Sequence, residues 1–182
     1  MIKAIVLDVD GVIKGSKTGI NFPLPHTKVL AAMKKINKSG IPIILCTGNY
    51  YYSIKKIIQL TELRNPHISD RAALIVDAFK NKFLEKHVID NKIAKITLET
   101  VWPLESYLEV FSDKNYFIQK SKLSELTKLR SIVLQKKPII VESFKDIPTL
   151  DLIKVSLFTQ KKSEKRKVDR MLEKFQDIIS FA

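Results

Sequence analysis

Asp8 and Asp10 stand one residue apart where the apolar run Ile2–Leu7 ends, and Gly11 follows them directly. Two carboxylates at the mouth of a buried strand crowd like charges where water is scarce. That costs free energy unless a cation or a phosphoryl group lies between them. Asp-Gly alone is also ordinary turn chemistry for ending a strand. A second strand end favours the chemical reading: Ile43-Ile44-Leu45-Cys46 runs into Thr47-Gly48-Asn49. Phosphoryl transfer requires an in-line nucleophile, a proton source for the leaving oxygen, and donors for the equatorial oxygens. Asp8 suits the nucleophile, since a carboxylate can accept the phosphoryl group. Asp10 suits the acid that protonates the leaving group and the base that then activates water. The Thr47 hydroxyl and the Gly48 amide are donors at the neighbouring tip, and with Gly11 they form the candidate phosphate-binding set. Two carboxylates and a phosphate coexist only around a divalent cation. Magnesium, held by Asp8 and Asp10, fits these hard oxygen ligands.

The elements needed to place these residues can be read along the first part of the chain. Residues 2–7 have strand length, and Gly15, Gly19, Pro23 and Pro25 punctuate a loop. Val29, Leu30, Met33 and Ile36 share a helical face, with Thr27 as the expected cap and Gly40 past the end. A strand at 43–46 and a helix from Tyr50 to Leu60, with Ile54, Ile57 and Ile58 inward, come next. Asn65-Pro66 stops that helix, and Ala73–Val76 is the expected third strand. Strand–helix–strand–helix–strand implies a right-handed parallel α/β sheet, whose ligands bind beyond the carboxyl ends of the strands. Asp8, Asp10 and Thr47 all fall there.

From Asn81 the pattern changes to an α+β unit with no chemical motif of its own. The expectation is a hairpin arm over 83–89, helices over 98–111 and 123–129, and strands over 131–134, 138–144 and 152–159. A last helix carries Val168, Met171, Leu172 and Phe175 on one face, with Ser163 as its cap, and a strand follows at 178–181.

The chain has 182 residues, a net charge of +13 and a single cysteine, Cys46. One cysteine forms no internal disulfide, which points to a reducing cytoplasm. No apolar run reaches the roughly 18 residues that a membrane span requires, and no signal-peptide pattern precedes Asp8. The positive charge suits an anionic substrate. It would also suit nucleic acid, but the lysines are spread along the chain among carboxylates and lack the interleaved aromatics of a stacking platform. His26, His67 and His87 have no metal-ligand spacing, and Cys46 reads as a small core hydrophobe.

Asp8-Val9-Asp10-Gly11-Val12 resembles motif I of the haloacid dehalogenase (HAD) superfamily, and Ile44-Leu45-Cys46-Thr47-Gly48-Asn49 resembles its motif II. The spacing is similar to the Cof-type and archaeal phosphoglycolate-phosphatase-like branch. The resemblance implies an α/β fold with a Rossmann-like core over residues 1–80, carrying the N-terminal half of a parallel sheet. An inserted α+β cap would then occupy 81–182. It further implies magnesium and hydrolysis of a small phosphorylated metabolite. Asp8 would be nucleophile and metal ligand, Asp10 the acid/base that lends the metal its main-chain carbonyl, and Thr47 the phosphoryl ligand.

Departures accompany the likeness. Where family members place an acidic-Asn-Gly-Ala segment, this chain has Ser69-Asp70-Arg71-Ala72-Ala73. The lysine of motif III and the Gly-Asp loop of motif IV have no counterpart after residue 80, so the chain reads as the first half of a core plus most of a cap. In the family's strand order the first strand would then have an open side, to be covered by a second copy or another partner. A HAD-like protein that binds phosphate or metal without turnover is the rival reading, and a basic nucleic-acid-binding module the weaker one.

Overall fold

The apolar runs become strands and the 3.6-periodic runs become helices in the computed structural model, which describes residues 2–159 and 162–173. In chain order the elements are β1 (Ile5–Asp8), α1 (Thr27–Lys38), β2 (Ile43–Cys46), α2 (Tyr52–Thr61), β3 (His67–Ser69), β4 (Leu74–Asp77), β5 (Lys82–Lys86), α3 (Asn91–Val101), β6 (Tyr107–Ser112), β7 (Tyr116–Gln119), α4 (Glu125–Leu134), β8 (Ile139–Val141), β9 (Leu152–Phe158) and α5 (Lys162–Leu172). They fall into two compact units. The first holds residues up to Val88 together with Ser124–Pro138; the second holds Ile89–Leu123 and the chain from Ile139 onward. The sequence expectation had placed one division at 80/81.

The first unit is built on a five-stranded sheet in the order β1-β2-β3-β4-β5. β1 and β2 run parallel in register, Ile5 beside Ile43 through Asp8 beside Cys46, and β2 runs parallel to β3. The sheet then reverses: β4 is antiparallel to β3, and β5 to β4. The expected third parallel strand at 73–76 is therefore β4. The parallel neighbour of β2 is the short His67–Ser69, which is too short to announce itself by periodicity. His67 is fully buried, and its Nδ1 accepts the Leu45 N–H at 3.1 Å, tying β3 to β2.

α2 buries Ile54, Ile57 and Ile58, as its i, i+3, i+4 spacing dictates. It ends at Glu62, which is left-handed at φ 58°, and the Leu63 N–H returns to the Ile58 carbonyl at 3.2 Å. α1 begins at Thr27, but its cap is His26 rather than Thr27: the His26 Nδ1 accepts the Lys28 N–H at 3.1 Å. α4 also belongs to this unit, where Gln135 Nε2 donates to the Ser53 carbonyl at 3.3 Å.

The second unit has a four-stranded sheet in the order β8-β7-β6-β9. Leu108 and Val110 of β6, Phe117 of β7 and Leu152 of β9 pack with Ala94, Leu98 and Val101 of α3 and Val168 of α5. Two expected elements in this half are corrected. The helix expected over 98–111 is α3, which starts after Asp90, whose Oδ1 accepts the Lys92 and Ile93 N–H groups. It stops before Pro103, which has no N–H to continue it; 107–112 is instead strand β6. The expected strand at 131–134 is the last part of α4. The Ser124–Thr127 capping box starts that helix early enough to carry its β-branched end. β7 was not anticipated. Phe175 and the strand expected at 178–181 lie outside the described residues. Among those described, no helix is long and apolar enough to cross a membrane.

Candidate active site

β1 delivers Asp8 to the carboxyl end of the sheet with its side chain exposed, and its Oδ1 accepts the Val9 N–H at 2.7 Å. Oδ2 has no partner among the described residues. The chain then closes a tight loop. Ile13 and Lys14 donate their N–H groups to the Val9 carbonyl at 3.1 and 2.9 Å, and Gly11 donates to the Lys14 carbonyl at 2.8 Å. Gly11 takes φ +84°, a conformation that a residue with a Cβ enters only with strain.

This loop brings in a residue that the sequence reading did not single out. Lys14 is buried, and its ammonium lies 2.7 Å from Asp10 Oδ1. The other oxygen, Oδ2, accepts from Asn49 Nδ2 at 2.7 Å. Asp10 is therefore clamped between a lysine of its own loop and an asparagine from the next strand end. The available signal was a lysine four residues after Asp10 and an asparagine directly after Thr47-Gly48.

Thr47 is buried at the tip of β2. Its N–H donates to the Ile68 carbonyl at 3.0 Å, and its Oγ1 accepts the Asn49 N–H at 3.1 Å. Gly48 is exposed beside it, with the Arg71 side chain alongside. The β3 end contributes Asp70, 2% exposed, whose carboxylate accepts from the Tyr51 N–H at 3.1 Å and the Ser69 hydroxyl at 3.0 Å. Asp8, Thr47 and Gly48 thus lie at the same end of adjacent parallel strands, and Asn49 links Asp10 to that group.

A divalent cation fits this donor set only in part. Asp8 offers a carboxylate oxygen. Asp10 has committed its side chain to Lys14 and Asn49, which leaves its main-chain carbonyl as what it can lend a cation here. Magnesium suits such a sparse set, because it keeps waters and takes phosphate oxygens. Among the described residues, however, no three His, Cys, Asp or Glu side chains gather as a metal cluster.

A mixed α/β sheet with paired aspartates at the first strand end and Thr-Gly at the second defines a haloacid-dehalogenase-like class of protein. A family model described as haloacid dehalogenase-like hydrolase matches residues 5–182, and the chain belongs to that family. A Mycoplasma genitalium protein named as a phosphatase is 24% identical over 188 residues, covering 97% of this chain and 66% of the relative. A haloacid dehalogenase-like hydrolase from Bacteroides thetaiotaomicron has a similar structure, with TM-score 0.80 at 17% identity, covering 94% of this chain and 63% of that one. A structure described as a HAD subclass IIB sugar phosphatase matches with TM-score 0.72 at 15% identity, again over 94% of this chain and 64% of its own. The chain spans about two thirds of the length of these relatives.

Proposed function

We propose that the chain carries the nucleophile-bearing part of a magnesium-dependent phosphohydrolase. Its substrate is a small phosphorylated metabolite of the sugar phosphate or phosphoglycolate type, and a single cysteine agrees with a reducing cytoplasm as its compartment. The observation that supports this most is the exposed Asp8 carboxylate at the β1 tip, beside the clamped Asp10 and the Thr47-Gly48 turn. Membership of a hydrolase family and the phosphatase names of its relatives agree with it.

In this reading Asp8 Oδ2 attacks phosphorus and forms an aspartyl-phosphate, while the leaving alcohol takes its proton from Asp10. Water then attacks the phosphorus, gives its proton to Asp10, and releases phosphate with Asp8 restored. Both Asp10 oxygens face donors, so to carry a proton Asp10 must turn one of them away from Lys14 or Asn49. Magnesium, held by Asp8 and the Asp10 carbonyl, would supply charge neutralisation for the phosphoryl oxygens.

Hydrolysis of p-nitrophenyl phosphate, with and without magnesium, by the chain and by Asp8→Asn tests the assignment. The expected loss in the variant is at least about a thousandfold. Equal rates would overturn it. A second reading, phosphate binding without turnover, draws on the absence of a three-ligand metal cluster among the described residues. Magnesium-dependent turnover by the 182-residue chain would exclude that reading.

A further inference from the structure

The turn after β3 is built against the preferences of its residues. Asp70, Arg71 and Ala72 have φ of 54°, 58° and 68°, the left-handed region that disfavours any residue with a Cβ. Three in succession persist only where the surroundings over-determine them, and such strain gathers at functional sites. The anchors here are specific. The Asp70 N–H donates to the Asn49 carbonyl at 3.0 Å, and the Arg71 N–H reaches the Thr47 carbonyl at 3.4 Å. The Asp70 carboxylate takes the Tyr51 N–H and the Ser69 hydroxyl. Thr47 and Asn49 belong to the candidate site itself, so the strained turn is fastened to it.

What the turn positions is a cation. Arg71 is exposed, and its Cγ and Nε lie 3.5 and 3.8 Å from where a Cβ would stand on Gly48. Its side chain forms no ion pair among the described residues. The guanidinium therefore lies along the Thr47-Gly48 turn with its donors uncommitted, and its planar fork matches phosphate oxygens two at a time.

We propose that Arg71 is a phosphate-binding residue of this site, its guanidinium acting with the Thr47-Gly48 turn on the phosphate dianion. The proposal rests on reading the site as one for phosphate esters and adds a cation that the motifs at β1 and β2 do not contain.

Titration of the 182-residue chain with inorganic phosphate, by calorimetry at fixed ionic strength, tests it. Arg71→Gly removes the charge while relieving the left-handed strain. Arg71→Met is a second neutral variant that keeps the aliphatic stem over Gly48. Both are expected to weaken phosphate binding about tenfold or more, with Arg71→Lys between them and the parent chain. Lys3→Met, an exposed charge before β1 at the opposite end of the strand from Asp8, is expected to change nothing. Parent-like affinity in both neutral variants, an equal loss in Lys3→Met, or no measurable binding by the parent chain would each overturn the proposal. Turnover of an aryl phosphate separates the two readings. Arg71-dependent binding without turnover removes the phosphohydrolase reading and keeps this one, and turnover with Arg71-independent binding does the reverse.

Discussion

Lys14 and Asp10 show how a single pair couples stability to the site. The ammonium is buried, and the carboxylate beside it keeps 42% of its side-chain surface in water. Removing the carboxylate strands a buried charge, whereas removing the lysine leaves a carboxylate that water and Asn49 still solvate. Asp10→Ala is therefore expected to destabilise by about 2 kcal/mol, below the range for fully buried pairs because Asp10 is partly screened. Lys14→Met is expected to lose less. Urea unfolding of both variants checks the order, and a larger loss in Lys14→Met would contradict it. His67 gives a pH dependence. Burial pushes its imidazole down to about 4, against a smaller opposing effect of the Asp77 carboxylate. The folded chain thus keeps the ring neutral where the unfolded chain protonates it. Its contribution is intact above about pH 6.5 and declines as pH falls toward 4, by roughly 3 kcal/mol in all. NMR titration of the ring checks this; a folded-state value near 6.5 would contradict it.

At the scale of elements, the parts legible in the sequence were those in which one face repeats. Ile54, Ile57 and Ile58 marked α2, and the apolar runs marked β1 and β2, so the two strand ends that carry Asp8 and Thr47 could be placed. Ile57→Ala is expected to cost about 3 kcal/mol, since a fully buried branched side chain leaves a cavity that the sheet and helix cannot close. Thermal or urea unfolding measures it. Gly11→Ala meets no neighbouring atom within 4 Å, so its cost should be that of the left-handed backbone alone, about 1 kcal/mol. A much larger loss on unfolding would show that the loop tolerates no Cβ for another reason. The misread elements share a cause. Ile132-Val133-Leu134 has strand-like residues but continues α4, because a capping box fixes the helix start and the buried Leu134 its end. Residues 107–111 looked helical next to α3, yet Pro103 ends that helix and pairing with β7 and β9 makes the segment a strand.

For the whole molecule, the exposed feature with the clearest consequence is β1 at the edge of its sheet. Val6 is 60% exposed and Ile2 66%, and among the described residues no strand pairs with β1 on that side. Such an edge invites pairing with a second copy or another chain, and a charge on it opposes pairing. Val6→Lys is therefore expected to shift light-scattering mass toward monomer at high concentration; equal masses for parent and variant would count against the edge as the contact. Sequence alone determined the chemistry on offer: carboxylates one residue apart, a Thr-Gly turn, and apolar runs that must end in them. These are local patterns, legible because strand and helix periods are local. Tertiary structure decided that Asn49 joins Lys14 on Asp10, that His67 rather than Ala73 opens the neighbour of β2, and that Arg71 lies along Gly48. Each depends on which strand ends meet across the sheet, and that is set by long-range pairing that no local spacing encodes.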